Sequence, residues 1–120
     1  MKVLKTSEIK PEVASSPIFI GGQVTGQTLL TPETSKSFKS AVVNFTPGAR
    51  TKFHTHTGDQ ILVVTRGKGI EATENKEINV GVGDIVFFPA EEQHWHGATK
   101  DSSFSHIHIQ TRESETSLLD

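Results

Sequence analysis

Along most of the chain, apolar residues recur at every second position, in short runs broken by Gly, Pro, Asn or Asp. Residues two apart share one face of a strand, whereas a helix face needs spacings of three and four. The period predicts strands at 17–20, 23–30, 37–46, 51–56, 60–65, 69–73, 77–80, 85–88, 94–97 and 103–112. Turn signals lie between them, among them Gly21-Gly22, Thr31-Pro32, Pro47-Gly48, Gly58-Asp59, Gly67-Lys68 and Asn75-Lys76. No window carries a helical stripe, and no repeat or low-complexity tract is visible. Many short strands at regular spacing predict an all-β sandwich or jelly roll. Residues 1–10 and 114–120 are expected to be loose or to pair with a second copy.

Length and composition narrow this picture. A chain of 120 residues suits one domain spanning 1–120, with its core at about 37–112. Seven Phe and one Trp carry most of the large apolar volume. Phe19, Phe38, Phe45, Phe53, Phe87, Phe88 and Phe104 are expected to build the core, with one or two walling a pocket. The formal charge of −2 and the lack of a Lys/Arg stripe argue against a nucleic-acid partner. No apolar run is long enough to span a membrane, and the opening residues MKVLKTSEIKPE hold no secretory apolar region. Zero Cys excludes disulfides, thiolate catalysis and thiolate metal sites. The default expectation is a cytoplasmic protein.

All six histidines fall in His-x-His pairs: His54 and His56, His94 and His96, His106 and His108. On a strand each pair aims two imidazoles at one face. Trp95 then lies opposite His94 and His96, and Ile107 and Ile109 lie opposite His106, His108 and Gln110. A turn at 57–59 would start the next strand at Gln60 and bring its side chain alongside the first pair. Any single pair could be surface polarity. Three pairs in an all-β chain read less easily as decoration: inside a barrel the two rings of a pair can converge on one ion, with His94 from a distant strand completing the set, while His106 and His108 line a wet cavity or face solvent. Arg50 and Lys52, beside the first pair, read as solvated loop charge or as attraction for an anionic substrate.

Two stretches resemble the paired motifs of the cupin superfamily. The first runs from Gly48 through His54-Thr-His56 and Gln60 to Gly67; the second runs from Gly83 through Pro89 and Glu91 to His94. Gln60 stands where the family usually has Glu, Glu91 where it has Gly, and Ala98 where it has Asn. The last two departures are expected to affect only a turn and a surface strand. The runs 47–51 and 93–98, with His106 and Gln110 beyond them, are similar to two groups of small cupins. These are the cupins associated with carboxymuconolactone decarboxylases and the manganese-dependent cupin-type hydroxynitrile lyases. The resemblance implies a double-stranded β-helix, a jelly-roll barrel with one divalent metal in its mouth held by His54, His56, Gln60 and His94. It also implies a homodimer, with N-terminal strands, residues 3–9 included, at the interface. His106 matches a position beside the metal and Thr51 a position near the substrate. His108 replaces a smaller apolar residue, so a more polar pocket is expected.

Three imidazoles and a carboxamide suit Mn, Fe, Co, Ni, Cu or Zn, with Mn favoured by the resemblance. The set is neutral, so the ion should bind less tightly and act as a stronger Lewis acid than one with a carboxylate ligand. That favours a lyase or isomerase acting on a small carbonyl or hydroxy compound, with His96, His106 or His108 moving the proton. An iron-dependent dioxygenase and a non-enzymatic metal- or ligand-binding module stay open. Metal affinity is expected to fall below about pH 6, the ordinary histidine range.

Overall fold

The structure is a computed structural model that describes residues 1–119; Asp120, the end of the tail expected to be loose, lies outside the described residues. Twelve strands form one curled antiparallel sheet. They are β1 Glu12–Val13, β2 Phe19–Ile20, β3 Val24–Leu30, β4 Phe38–Phe45, β5 Arg50–Thr51 and β6 His54–His56. They continue with β7 Gln60–Thr73, β8 Lys76–Gly81, β9 Ile85–Phe88, β10 His94–Ala98, β11 Phe104–Thr111 and β12 Thr116–Leu118. The hydrogen-bonded path runs β1-β3-β4-β11-β7-β10-β5-β2, with β8 and β9 on β7, β6 on β10 and β12 on β6. A single 3-10 turn at Thr6–Glu8 is the one helical element among the described residues. The architecture is the predicted all-β barrel.

Two predicted strands, 60–65 and 69–73, are one strand. β7 pairs with β11 and β9 through its first half, then with β10 and β8 through its second. Between the halves, Ser105 pairs with Arg66 but His106 pairs with Val64, so Thr65 is an extra residue on β7. Such a bulge bends a strand and shifts its alternation by one. Gly67 follows with φ +71°, where a Cβ would run into the carbonyl oxygen of Ser103. The turn signal at Gly67-Lys68 is therefore a fold in one strand rather than a hairpin.

The predicted strand 51–56 breaks into β5 and β6, both paired to β10. Arg50 pairs with Gly97 and His54 with His94, so four steps on one side face three on the other. That extra residue lets Thr51 and His54 both face inward, although they are three apart. The predicted loose tail is also ordered: β12 pairs with β6, matching Thr116 to His56 and Leu118 to His54.

Val24, Phe45, Ala49, Val64, Val80, Ala98 and Phe104 form the buried apolar cluster. Ala98, expected on a surface strand, belongs to it because β10 is a central strand, and its N–H donates to the Ala49 carbonyl at 2.9 Å. The expectation that every Phe builds the core also fails. Phe38 and Phe87 are 47% and 56% exposed. Phe88 takes the inward position opposite Gln60, which turns Phe87 outward beside Ile61. Ile61, Ile85 and Phe87 thereby leave an apolar outer face on the sheet, flanked by half-buried Ile107 and Ile109. Residues 3–9 form no strand; the turn there is held by the Gln27 carboxamide, which donates to the carbonyls of Thr6 and Ile9 at 2.8 and 2.7 Å.

Candidate metal centre

His54, His56 and His94 converge from β6 and β10, each offering a ring nitrogen within 4.8 Å of the other two, and all three are buried. Their register explains the approach: His94 lies directly across from His54, and His56 follows two residues on. Each ring is tied down by its other nitrogen. His54 Nδ1 lies 2.7 Å from the Lys52 carbonyl and His94 Nδ1 lies 2.9 Å from the Glu92 carbonyl. A carbonyl only accepts, so both Nδ1 atoms carry the proton and both Nε2 atoms keep a lone pair. His56 Nδ1 pairs with Thr116 Oγ1 at 2.8 Å, a hydroxyl able to accept its proton. Phe88 stacks on His94, with ring centroids 4.0 Å apart, and fixes its plane.

The donors left over fit a divalent cation. His56 Nε2, His94 Nε2 and Gln60 Oε1 are buried and have no hydrogen-bond partner. Buried lone pairs without partners are destabilising, and a cation among them would satisfy all of them together. Nδ1 held by an outer acceptor while Nε2 faces inward is the arrangement by which proteins orient metal-binding histidines. The Gln60 carboxamide sits beside His56.

Next to this cluster lies a cavity of about 140 Å³, walled by Ile18, Phe19, Val43, Thr51, His54, His56, Gln60, His96, His106, His108 and Gln110. Every residue singled out in the sequence for metal binding or catalysis thus lines this cavity, apart from His94, which stands behind it. His106 and His108 do not face solvent: β11 turns Phe104, His106, His108 and Gln110 inward in alternation. His96 and His106 meet edge to face, ring centroids 4.9 Å apart. Thr51 Oγ1 accepts from the backbone N–H of His96 at 3.1 Å, so Thr51 also fastens β10 in place. Arg50 is not free loop charge, since its guanidinium lies 3.7 Å from the ring centroid of Trp95 on the outer side. Glu91, where the motif has Gly, is the one non-glycine residue with positive φ among those described, at 70°. The family's Gly there answers a backbone demand.

Burial and mutual proximity hold all six imidazoles neutral. His56 is pushed down to about 3 by burial and then by His54, His94 and His108. His94 falls to about 4 through burial and then His54. His106 falls to about 3 through burial and then His108, and His108 to about 4 through burial and then Lys39. Burial also lowers His54, and it drives His96 well below its usual range, with His106 adding to the effect. Burial thus keeps the cluster imidazoles unprotonated to lower pH than ordinary histidine, so proton competition for a cation should set in below the pH of about 6 expected from sequence.

Two residues of this region escaped the sequence reading. Thr116 supports His56 from 60 positions away, and nothing in the pattern at 114–120 signals a strand. Glu71 is buried beside His96, its Oε1 3.5 Å from Nδ1. Counting alternation from Gln60 puts Glu71 outside; the bulge at Thr65 reverses the phase and brings it in.

Comparison with known proteins gives the family. Residues 41–110 match the Cupin domain family. The chain is 44% identical over 73 residues to (R)-mandelonitrile lyase of Granulicella tundricola, a match covering 60% of this chain and 56% of that protein. The chain thus spans little more than half the length of that relative. It is 30% identical over 95 residues to the oxalate-binding protein of Thermotoga maritima, covering 77% of this chain and 78% of the relative. A crystal structure of a cupin-like protein from Thermotoga maritima superposes with a TM-score of 0.83 at 35% identity, over 99% of this chain and 89% of that one. With both sequence motifs, the barrel and the three-histidine cluster in register, the chain belongs to the cupin family.

Proposed function

We propose that this protein is a metal-dependent lyase or isomerase acting on a small carbonyl or hydroxy compound, with chemistry akin to a hydroxynitrile lyase. One observation carries this reading. A donor set without any carboxylate, three oriented imidazoles and the Gln60 carboxamide, opens onto a cavity walled by three further neutral imidazoles. A divalent cation held by His54, His56, Gln60 and His94, manganese in the first instance, would supply Lewis acidity undiluted by ligand charge.

The chain's own groups supply the rest. Thr51 Oγ1 already accepts from His96 N–H, which leaves its own proton to donate to a substrate oxygen in the cavity. His106, wedged between Phe45 and Phe104 with centroids at 5.5 and 5.4 Å, has a fixed ring plane. As a neutral imidazole it takes the proton of a substrate hydroxyl. The imidazolium so formed returns that proton to the leaving anion. In a hydroxynitrile this closes the cycle: the hydroxyl proton passes to His106, the bond to the nitrile carbon breaks, and its electron pair and that proton leave together as hydrogen cyanide. His96 and His108 keep the pocket polar. A volume of about 140 Å³ takes a substrate bearing about one benzene-sized ring. The relative named (R)-mandelonitrile lyase, 44% identical over the matched segment, supports this class.

The test is turnover by metal-stripped and reloaded protein of hydroxynitriles, oxo acids and uronates, under argon and in air. Metal-dependent cleavage under argon that vanishes in folded His94→Ala is the expected result. Full activity in that variant would remove the metal from the mechanism, and substrate-linked oxygen consumption would make the protein a dioxygenase. The 30% identical relative named oxalate-binding protein favours a second reading, a binding module. Tight retention of a small dicarboxylate without turnover would select it. The apolar outer face at Ile61, Ile85 and Phe87 favours a homodimer, which sedimentation equilibrium would register at twice the chain mass.

A further inference from the structure

One ionisable group in the polar half of the barrel has no part in the chemistry above. Glu71 is 5% exposed, and neither of its carboxyl oxygens has a hydrogen-bond partner. Register places it directly across from His96. Its Oε1 faces His96 Nδ1 at 3.5 Å, and that nitrogen too lacks any other partner. The rest of the His96 ring is hemmed by Phe45, Phe88, His54, His94 and His106. Among the described residues, Glu71 is the polar side chain whose atom lies against Nδ1. A buried carboxyl without partners destabilises a fold, and apolar residues of similar volume often do better in such a place. Its presence beside a cavity residue points to a role in the site.

We propose that Glu71 is a positioning residue for His96: its carboxyl group engages Nδ1, fixes the ring's tautomer and plane, and so sets the hydrogen-bonding character of the nitrogen left to the cavity. Burial raises the Glu71 carboxyl to about 8, so near neutrality it keeps its proton and donates to Nδ1. His96 Nε2 then carries the ring hydrogen and donates toward a substrate oxygen, complementing Thr51 on the same wall. Glu71 thereby does for His96 what the Lys52 and Glu92 carbonyls do for His54 and His94, with the opposite proton assignment. Those two rings turn a lone pair inward, as metal ligands must, and His96 turns a donor.

The inference rests on the lyase reading only for its purpose, and its test does not require turnover. Ring nitrogen-15 NMR of the full chain loaded with diamagnetic zinc reads the His96 tautomer directly. Wild type should show one fixed tautomer with hydrogen on Nε2. Glu71→Leu, or Glu71→Met should the leucine variant not fold, should show averaged ring nitrogens with zinc content unchanged and an unfolding midpoint no lower. Glu71→Gln, whose amide N–H can donate to Nδ1, should restore the fixed tautomer. In the manganese-loaded form, kcat on a hydroxynitrile should fall about tenfold in the leucine variant, recover in Glu71→Gln, and leave KM little changed. An averaged ring in wild type, or a fixed one in Glu71→Leu, would overturn the proposal. So would a leucine variant that merely melts earlier with its tautomer intact, since that describes a structural part. Absence of lyase turnover together with the expected tautomers would leave Glu71 positioning His96 and retire only the lyase reading.

Discussion

The same strands build two unlike interiors. On β11 the inward residues run Phe104, His106, His108, Gln110, and on β7 they run Val64, Leu62, Gln60. Within a few residues each strand passes from an apolar cluster around Phe45 and Phe104 to a chamber of imidazoles and carboxamides. In the first region every contact removes apolar surface from water. In the second, unpartnered nitrogens and oxygens accumulate: His56 Nε2, Gln60 Oε1, His94 Nε2, His106 Nδ1, His108 Nδ1 and both oxygens of Glu71. The apolar end carries the packing that holds the fold together, and the mouth carries the unsatisfied donors and acceptors.

Substitutions that change one region and spare the other put this contrast at risk. Phe104→Ala, at a side chain with no exposure, should cost about 3–5 kcal/mol in denaturant unfolding; a loss below about 1 kcal/mol would mean that the apolar end is not the main source of stability. Acid should act on the mouth. His56, His94, His106 and His108 titrate at about 3 to 4 when folded, against about 6.5 when unfolded. The unfolded chain therefore binds more protons, and metal-free stability drains steeply as pH falls from about 6.5 toward 4. Glu71, raised from 4.5 to about 8, works the other way, its folded form losing ground as pH rises from about 4.5 to 8. Melting temperature of the metal-free protein should therefore peak near pH 6.5, and a flat profile would contradict the buried neutral state of these rings. Thr116→Val removes the outer partner of His56 and should weaken metal binding about 10- to 100-fold in competition with a chelator, with stability nearly untouched. His106→Leu is also expected to stay within about 1 kcal/mol of wild-type stability or slightly above it, because Nδ1 there is already unpartnered. Its turnover should nonetheless collapse, and an active His106→Leu would move the proton chemistry to another ring.

Much of this molecule was legible from period two alone. His54 and His56, His94 and His96, and His106 and His108 each share a face because strands alternate, and the cupin motifs named the partner segments that alternation leaves open. What stayed hidden depends on defects in alternation or on distance along the chain. Glu71 lies beyond a bulge that changes the phase, and Thr51 and His54 face together only through an extra residue on one side of β10. Phe38 and Phe87 read as core by composition, but phase assigns them outward, and composition carries no phase. β12 is three residues long with no apolar alternation, so its place beside β6 comes wholly from tertiary pairing.

The bent strand β7 has one further consequence. One half of it is laddered to β11 and β9 and the other to β10 and β8, so neither side of the barrel can peel away without taking the shared backbone with it. Amide hydrogens along both halves should exchange only when the whole domain opens.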